Sequence, residues 1–148
     1  MIKLRPIIFT LGLVLSKLAL FMWLPTLLAL LTGSEGFVEF LKSVLITHGA
    51  ALLCLHYGRK AVFHLGVREM FLLTTSVWVV ACIFGALPFF FINHIDFTDA
   101  YFETMSGVTT TGSTVLSGLD GMAHSILLWR SILQWLGGVG FIVMAVAV

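Results

Sequence analysis

Four long apolar runs dominate this chain, and they leave few folds open to it. The first extends from Ile7 to about Leu31, interrupted by Lys17 and Pro25. The second extends from about Phe37 to Tyr57, the third from about Met70 to Ile92, and the fourth from about Ile126 to Val148. As helices each would cover about 30 Å or more, the thickness of a bilayer's hydrocarbon core. Hydrophobic residues make up 59% of the chain and charged residues 10%, against roughly 25% charged in an average soluble domain. Lipid satisfies no backbone polar group, so such runs fold as helices that bond internally. The expected fold class is an all-α membrane protein with four transmembrane helices.

The same composition excludes several functions. A net charge of +1 offers no basic face, so nucleic acid is not expected as a partner. Cys54 and Cys82 lie inside apolar runs and read as buried small hydrophobes rather than disulfide or metal partners. His48 and His56 stand a helical distance apart, but no carboxylate or cysteine accompanies them at ligand spacing. His64 falls in the following loop and reads as solvated. His94 and His124 flank a polar segment containing Asp96, Asp99, Glu103, Ser106 and Asp120, without nucleophile–base spacing or a metal motif. An enzyme is therefore disfavoured. Lys17 costs about 2.5 kcal/mol or more in hydrocarbon and reads as a snorkelling or helix-buried lysine, with a transport role as the lesser reading. Pro25 is expected to kink the first helix or loosen its outer end. The start Met1-Ile2-Lys3-Leu4-Arg5 resembles a signal peptide's. The run after it is too long for one, and no small-x-small cleavage site follows. It reads as a retained first span.

Charge placement predicts an orientation. Lys3 and Arg5 precede the first run, and Arg59, Lys60 and Arg68 fall between the second and third. These five are cytoplasmic if basic loops stay inside. The opposite side then carries Glu35, Glu39, Asp96, Asp99, Glu103 and Asp120, with Lys42 as the exception. Both termini are expected in the cytoplasm.

The segment from Asn93 to Asp120 is too long for a tight turn and too apolar for a solvated loop. Thr98 reads as a helix N-cap, with Asp99 in the first turn. Ala100, Tyr101, Phe102, Thr104 and Met105 continue the helix, and Gly107 is the expected stop. About eleven helical residues cover about 16 Å, half a bilayer. A hydroxyl-rich stretch follows: Thr109-Thr110-Thr111-Gly112-Ser113-Thr114. A half-length helix followed by such a stretch has the form of a re-entrant pore loop, expected from about Thr98 to Ser117. Backbone of this kind is tolerated at membrane depth only where protein or water surrounds it. The helix dipole would aim its negative end at the midplane, where a cation is favoured.

Residue types support an ion filter there. Backbone carbonyls can replace a cation's hydration shell without neutralising its charge. Consecutive carbonyls face one axis only if some residue takes a backbone conformation hostile to a Cβ, and Gly112 is the residue that can. Threonine hydroxyls add an oxygen or brace the backbone from behind. The bland alternative is an ordinary hydroxyl-rich turn. Its place after a half-helix and between two spans favours the filter.

The stretch Asp99-Ala100-Tyr101-Phe102-Glu103-Thr104-Met105-Ser106-Gly107-Val108, continuing through Thr109 to Thr114, closely resembles the first pore loop of the Trk/Ktr potassium transporter family, TrkH-type membrane subunits in particular. Gly85-Ala86-Leu87-Pro88-Phe89 and Gln134-Trp135-Leu136-Gly137-Gly138-Val139-Gly140 agree with the same family, and the likeness covers nearly the whole chain.

The resemblance implies two N-terminal spans with a cytoplasmic basic loop (residues 1–67) and a first span–pore loop–span repeat (residues 68–148). Family members carry four such repeats around a pseudo-fourfold axis, each shaped like a simple potassium-channel subunit. Gly112 would be this repeat's filter glycine. Thr110 and Thr111 would offer backbone carbonyls to K⁺, with Thr109 and Ser113 as supports. Ser113 follows the glycine, and no second glycine comes two positions on as in the Thr-Val-Gly-Tyr-Gly of potassium channels. A looser filter is implied. The expected function is K⁺ uptake across the bacterial cytoplasmic membrane. The alternative is a truncated or regulatory membrane protein with no transport of its own. No bound cofactor is expected; K⁺ is the transported ion. The implied partners are membrane lipid, three further repeats or other copies of the chain, a second subunit in a homodimer, and a cytosolic nucleotide-binding regulatory subunit. With one repeat of four, the chain reads as part of a longer subunit, or less favourably as a short form that tetramerises.

Within the fourth run, Gly137, Gly138 and Gly140 fit either a flexible inner-helix hinge or close helix packing. Trp129 and Trp135 fit interfacial or bundle anchoring. Arg130 could pair with Asp120 or Glu103 behind the loop, or snorkel outward.

Overall fold

A computed structural model describes residues 4–33, 36–59 and 66–147 of the chain. Lys3, Glu35, Lys60, His64 and Val148, which entered the sequence reading, lie outside the described residues. The described residues are helical, with no strand among them. Helix α1 spans Leu4–Thr32, α2 Phe37–Gly58, α3 Val67–Gly85, α4 Leu87–Asn93, α5 Phe97–Val108 and α6 His124–Ala147. By length and composition, three stretches among the described residues could cross a membrane: α1, α2, and α3 with α4 taken together from Val67 to Asn93. The fourth expected span falls on the 24-residue α6.

Helices α1 and α2 form an antiparallel hairpin. Small residues let the two backbones approach: a Cβ at Gly12 would press on Leu55 at 2.9 Å, and Gly58 rests on the backbone of Phe9. The interface buries Leu15, Leu18, Met22, Phe40 and Val44. Hydroxyls inside the spans bond to their own helix. Thr26 donates to the Met22 carbonyl at 2.7 Å and Thr47 to the Ser43 carbonyl at 2.7 Å. This i−4 bonding lets a polar side chain sit in an apolar core without an unmet donor. Pro25 does not end α1, which runs through it to Thr32.

The third run differs from a single span. It divides at Ala86 into α3 and α4, because Pro88 at the start of α4 has no N–H to continue the ladder. Trp129, fully buried on α6, donates its Nε1–H to the Gly85 carbonyl at this break, at 3.0 Å. His94, in the left-handed region with φ 51°, closes α4 and turns the chain toward α5.

Helix α1 packs on α3 and α6, and α5 is held between α3 and α6. Beneath α5 an apolar cavity of about 520 Å³ opens between α1, α3 and α6, with Lys17, Thr10 and Thr74 as polar wall residues. Lys17 is exposed rather than enclosed by helices. The described cations Arg5, Arg59 and Arg68 stand at one end of the bundle, at the start of α1, the end of α2 and the start of α3. Lys42, the exception to the charge pattern, shares a groove at the other end with Glu39, His94 and Asp96.

Candidate functional site

The helix leading into the Thr/Gly stretch is α5, twelve residues long and so about 18 Å in length. Its start differs from the expectation. Asp96, not Thr98, occupies the N-cap position, and Thr98 lies inside the first turn with Asp99. The side chain of Asp96 makes no capping bond. The stop differs too. Gly107 stays within the last turn, the helix ends one residue later at Val108, and its capping bonds come from Thr109 to Thr111.

That closure has a defined bonding pattern. Thr110 N–H donates to the Gly107 carbonyl at 2.9 Å, and Thr111 N–H reaches back to the Ser106 carbonyl at 3.0 Å. This paired 5→2 and 6→1 bonding is the Schellman motif, whose C′ residue is left-handed and usually glycine. Here it is Thr110, with φ 57°. A β-branched residue in this region is an outlier and stores about 1–3 kcal/mol. Two residues on, Gly112 has φ 78°. A Cβ at Gly112 would meet no atom within 4 Å, so the constraint there is backbone conformation, not space.

The chain then folds back along α5. Ser106 donates its hydroxyl to the Ser113 carbonyl at 2.6 Å. One turn earlier on α5, Glu103 Oε2 accepts from the Thr114 hydroxyl at 2.9 Å and from Val115 N–H at 3.1 Å. Thr114 Oγ1 in turn accepts Leu116 N–H at 3.0 Å. Thr109 and Thr111 join hydroxyls at 2.8 Å, and Thr109 also donates to the Met105 carbonyl at 2.8 Å. The tip from Thr109 to Val115 is exposed, while Leu116 returns to the core.

Helix α6 backs α5 and the start of the loop. Arg130 Nε lies 2.6 Å from Glu103 Oε1, so Arg130 takes Glu103 and not Asp120, which is exposed. Further along, Gly137 packs directly on the Val108 carbonyl, and a Cβ there would overlap it. Gly138 has ordinary space facing Thr110, and Gly140 faces no atom within 4 Å among the described residues.

The loop thus brings together Thr109, Thr110, Thr111, Gly112 and Ser113 at the end of α5, with Gly137 and Gly138 beside them. Gly140 stands apart. Sequence reasoning missed the left-handed Thr110, for which a threonine carries no signal, and the Ser106–Ser113 bond, which only the fold-back creates. Among the described residues no three His, Cys, Asp or Glu side chains converge as a metal site.

A family model described as TrkH, a cation transport protein, matches residues 36–148. The Trk system potassium uptake protein TrkH of Vibrio parahaemolyticus is 38% identical over 146 residues, 97% of this chain and 30% of that protein. The protein of the same name from Halomonas elongata is 40% identical over 148 residues, 99% of this chain and 31% of that one. The crystal structure of the potassium transporter TrkH from Vibrio parahaemolyticus matches at a TM-score of 0.93 and 38% identity, over 99% of this chain and 32% of that chain. The chain spans about a third of the length of the curated relatives it matches.

Proposed function

We propose, since the chain belongs to the TrkH family of cation transport proteins, that it forms one quarter of a K⁺ uptake pathway, with α5 as its pore helix and Thr109–Ser113 as its share of the filter. The family is one of cation transporters and not of enzymes. One observation carries the reading. Positive φ occurs at Thr110 and Gly112 and at neither of their neighbours. Backbone that alternates handedness in this way turns successive carbonyls toward one side. The carbonyls of Thr110, Thr111 and Gly112 are then the ones available to an ion, because that of Ser113 is taken by Ser106.

The electrostatics agree. The C-terminal end of α5, equivalent to roughly half a negative charge, meets the chain at Thr109. Neutral carbonyls and a helix end favour a cation that must enter and leave, where a carboxylate would hold it.

One loop supplies one side of each oxygen ring. The remaining sides come from further repeats or other copies of the chain, which would also cover the exposed tip. Exposed irregular backbone costs several kcal/mol per unsatisfied group in lipid. The complete assembly is a homodimer in the bacterial cytoplasmic membrane, docked to a cytosolic nucleotide-binding regulatory subunit.

Gly112→Ala in the complete transporter tests the reading. A Cβ meets no neighbour there but opposes the φ of 78°. The transporter should insert normally and lose K⁺ over Na⁺ preference in proteoliposome flux, with Thr111→Ser milder because its carbonyl remains. An unchanged preference in the Gly112→Ala transporter would remove this loop from the filter. A complete assembly that inserts but moves no K⁺ would instead favour a regulatory membrane protein.

A further inference from the structure

We infer that Glu103 is a positioning residue for the ion path: its one carboxylate aims the returning limb of the loop and cancels the charge of Arg130 behind it. This rests on the reading of Thr109–Ser113 as a filter.

The carboxylate is almost fully enclosed, its side chain 1% exposed against 19% for Arg130. Its two oxygens are divided between two tasks. Oε1 takes the guanidinium of α6 at 2.6 Å. Oε2 takes the Thr114 hydroxyl and the Val115 N–H. Thr114 passes the bond on to Leu116 N–H, where the chain re-enters the core. One side chain of α5 therefore joins the loop's return to α6.

The stretch from Gly112 to Val115 belongs to no helix. Its orientation is held from α5 at two places, Ser106 on the Ser113 carbonyl and Glu103 on Thr114 and Val115. A shift at Val115 is transmitted through three peptide units to Gly112. Whichever way the limb turns, the carbonyls before Ser113 turn with it.

The charge balance gives the pair a second consequence. Arg130 is a permanent cation close behind a path proposed for cations. Alone in a low-dielectric site it would repel them. Beside Glu103 it forms a charge-assisted bond whose net charge is zero. Glutamine at position 103 keeps the shape and one acceptor for Thr114 and Val115, but leaves the arginine uncompensated. Removing both charges restores neutrality, so the double change should be milder than either single one.

The test compares Glu103→Gln, Arg130→Gln, the double variant, Thr114→Val and Gly112→Ala in the complete transporter, reconstituted in proteoliposomes, with K⁺ and Na⁺ flux expressed per inserted protein. Glu103→Gln should lower K⁺ flux roughly tenfold, the middle of the range for directly coupled neighbours, and reduce the K⁺/Na⁺ ratio. The double variant should recover much of the flux. Thr114→Val keeps the side-chain shape and removes the hydroxyl between Glu103 and Leu116. It should reduce the ratio even if Glu103→Gln fails to fold. A purely structural staple would lower the amount of inserted protein and leave the ratio untouched. That result, with Gly112→Ala still shifting the ratio, overturns the inference alone. If Gly112→Ala also leaves the ratio unchanged, the filter reading falls and the inference falls with it.

Discussion

Gly137 of α6 rests on the carbonyl oxygen of Val108, the last residue of α5, with no room between them for a methyl group. The requirement for glycine at this position is close approach of two backbones. The contact sits directly below Thr109 and Thr110, so α6 sets the height at which the loop begins.

Gly137→Ala should therefore lower the stability of the complete transporter by about 1–3 kcal/mol, the usual cost of overpacking. Gly140→Ala, with no atom within 4 Å among the described residues, should stay within about 0.5 kcal/mol. Thermal midpoints in detergent measure both. A stable Gly137→Ala protein beside a Gly140→Ala protein that folds but does not conduct would assign the glycines to a hinge.

Thr110 holds a left-handed conformation, and its hydroxyl makes no hydrogen bond among the described residues. Thr110→Gly should relieve strain of about 1–3 kcal/mol, less about 0.5–1 kcal/mol for glycine's greater freedom when unfolded. The net expectation is a gain near 1 kcal/mol, seen as a raised thermal midpoint. A lowered midpoint would show that the side chain stabilises the turn.

Trp129 supplies the N–H that Gly85 accepts where α3 gives way to α4. Trp129→Phe keeps most of the ring but leaves a buried carbonyl unmet, at about 1–3 kcal/mol. The loss should appear as a lower midpoint. Flux per folded molecule should be nearly unchanged, because the bond lies behind the loop and not within it. A change in K⁺/Na⁺ ratio would place the α3–α4 break in the ion path.

Orientation is open to cysteine labelling. With Cys54 replaced by serine and Cys82 buried, a cysteine at Asp120 should react with a membrane-impermeant reagent from outside. One at Arg59 should react only after permeabilisation, because Arg5, Arg59 and Arg68 occupy one end of the bundle. Labelling of Arg59→Cys in intact cells would invert the topology.

Much of this protein is written locally in its sequence. Apolar run length marks α1, α2, the α3–α4 pair and α6, because a membrane helix is specified by its own twenty or so residues. The short α5 and the hydroxyl-rich stretch after it are legible for the same reason, and Gly112 is the single residue of that stretch without a Cβ. Other features depend on what comes near in space. Pro88 divides a continuous hydropathic run without changing its hydropathy. Thr110, and not Gly107, takes the left-handed position because the loop must fold back along α5. Arg130 had two carboxylates within plausible reach, and only the packing of α5 on α6 selects Glu103 over Asp120. Three glycines of α6 look alike in sequence, yet one alone meets a carbonyl. Periodicity and composition report which face of a helix is apolar; which atom it meets is decided by the neighbouring helix.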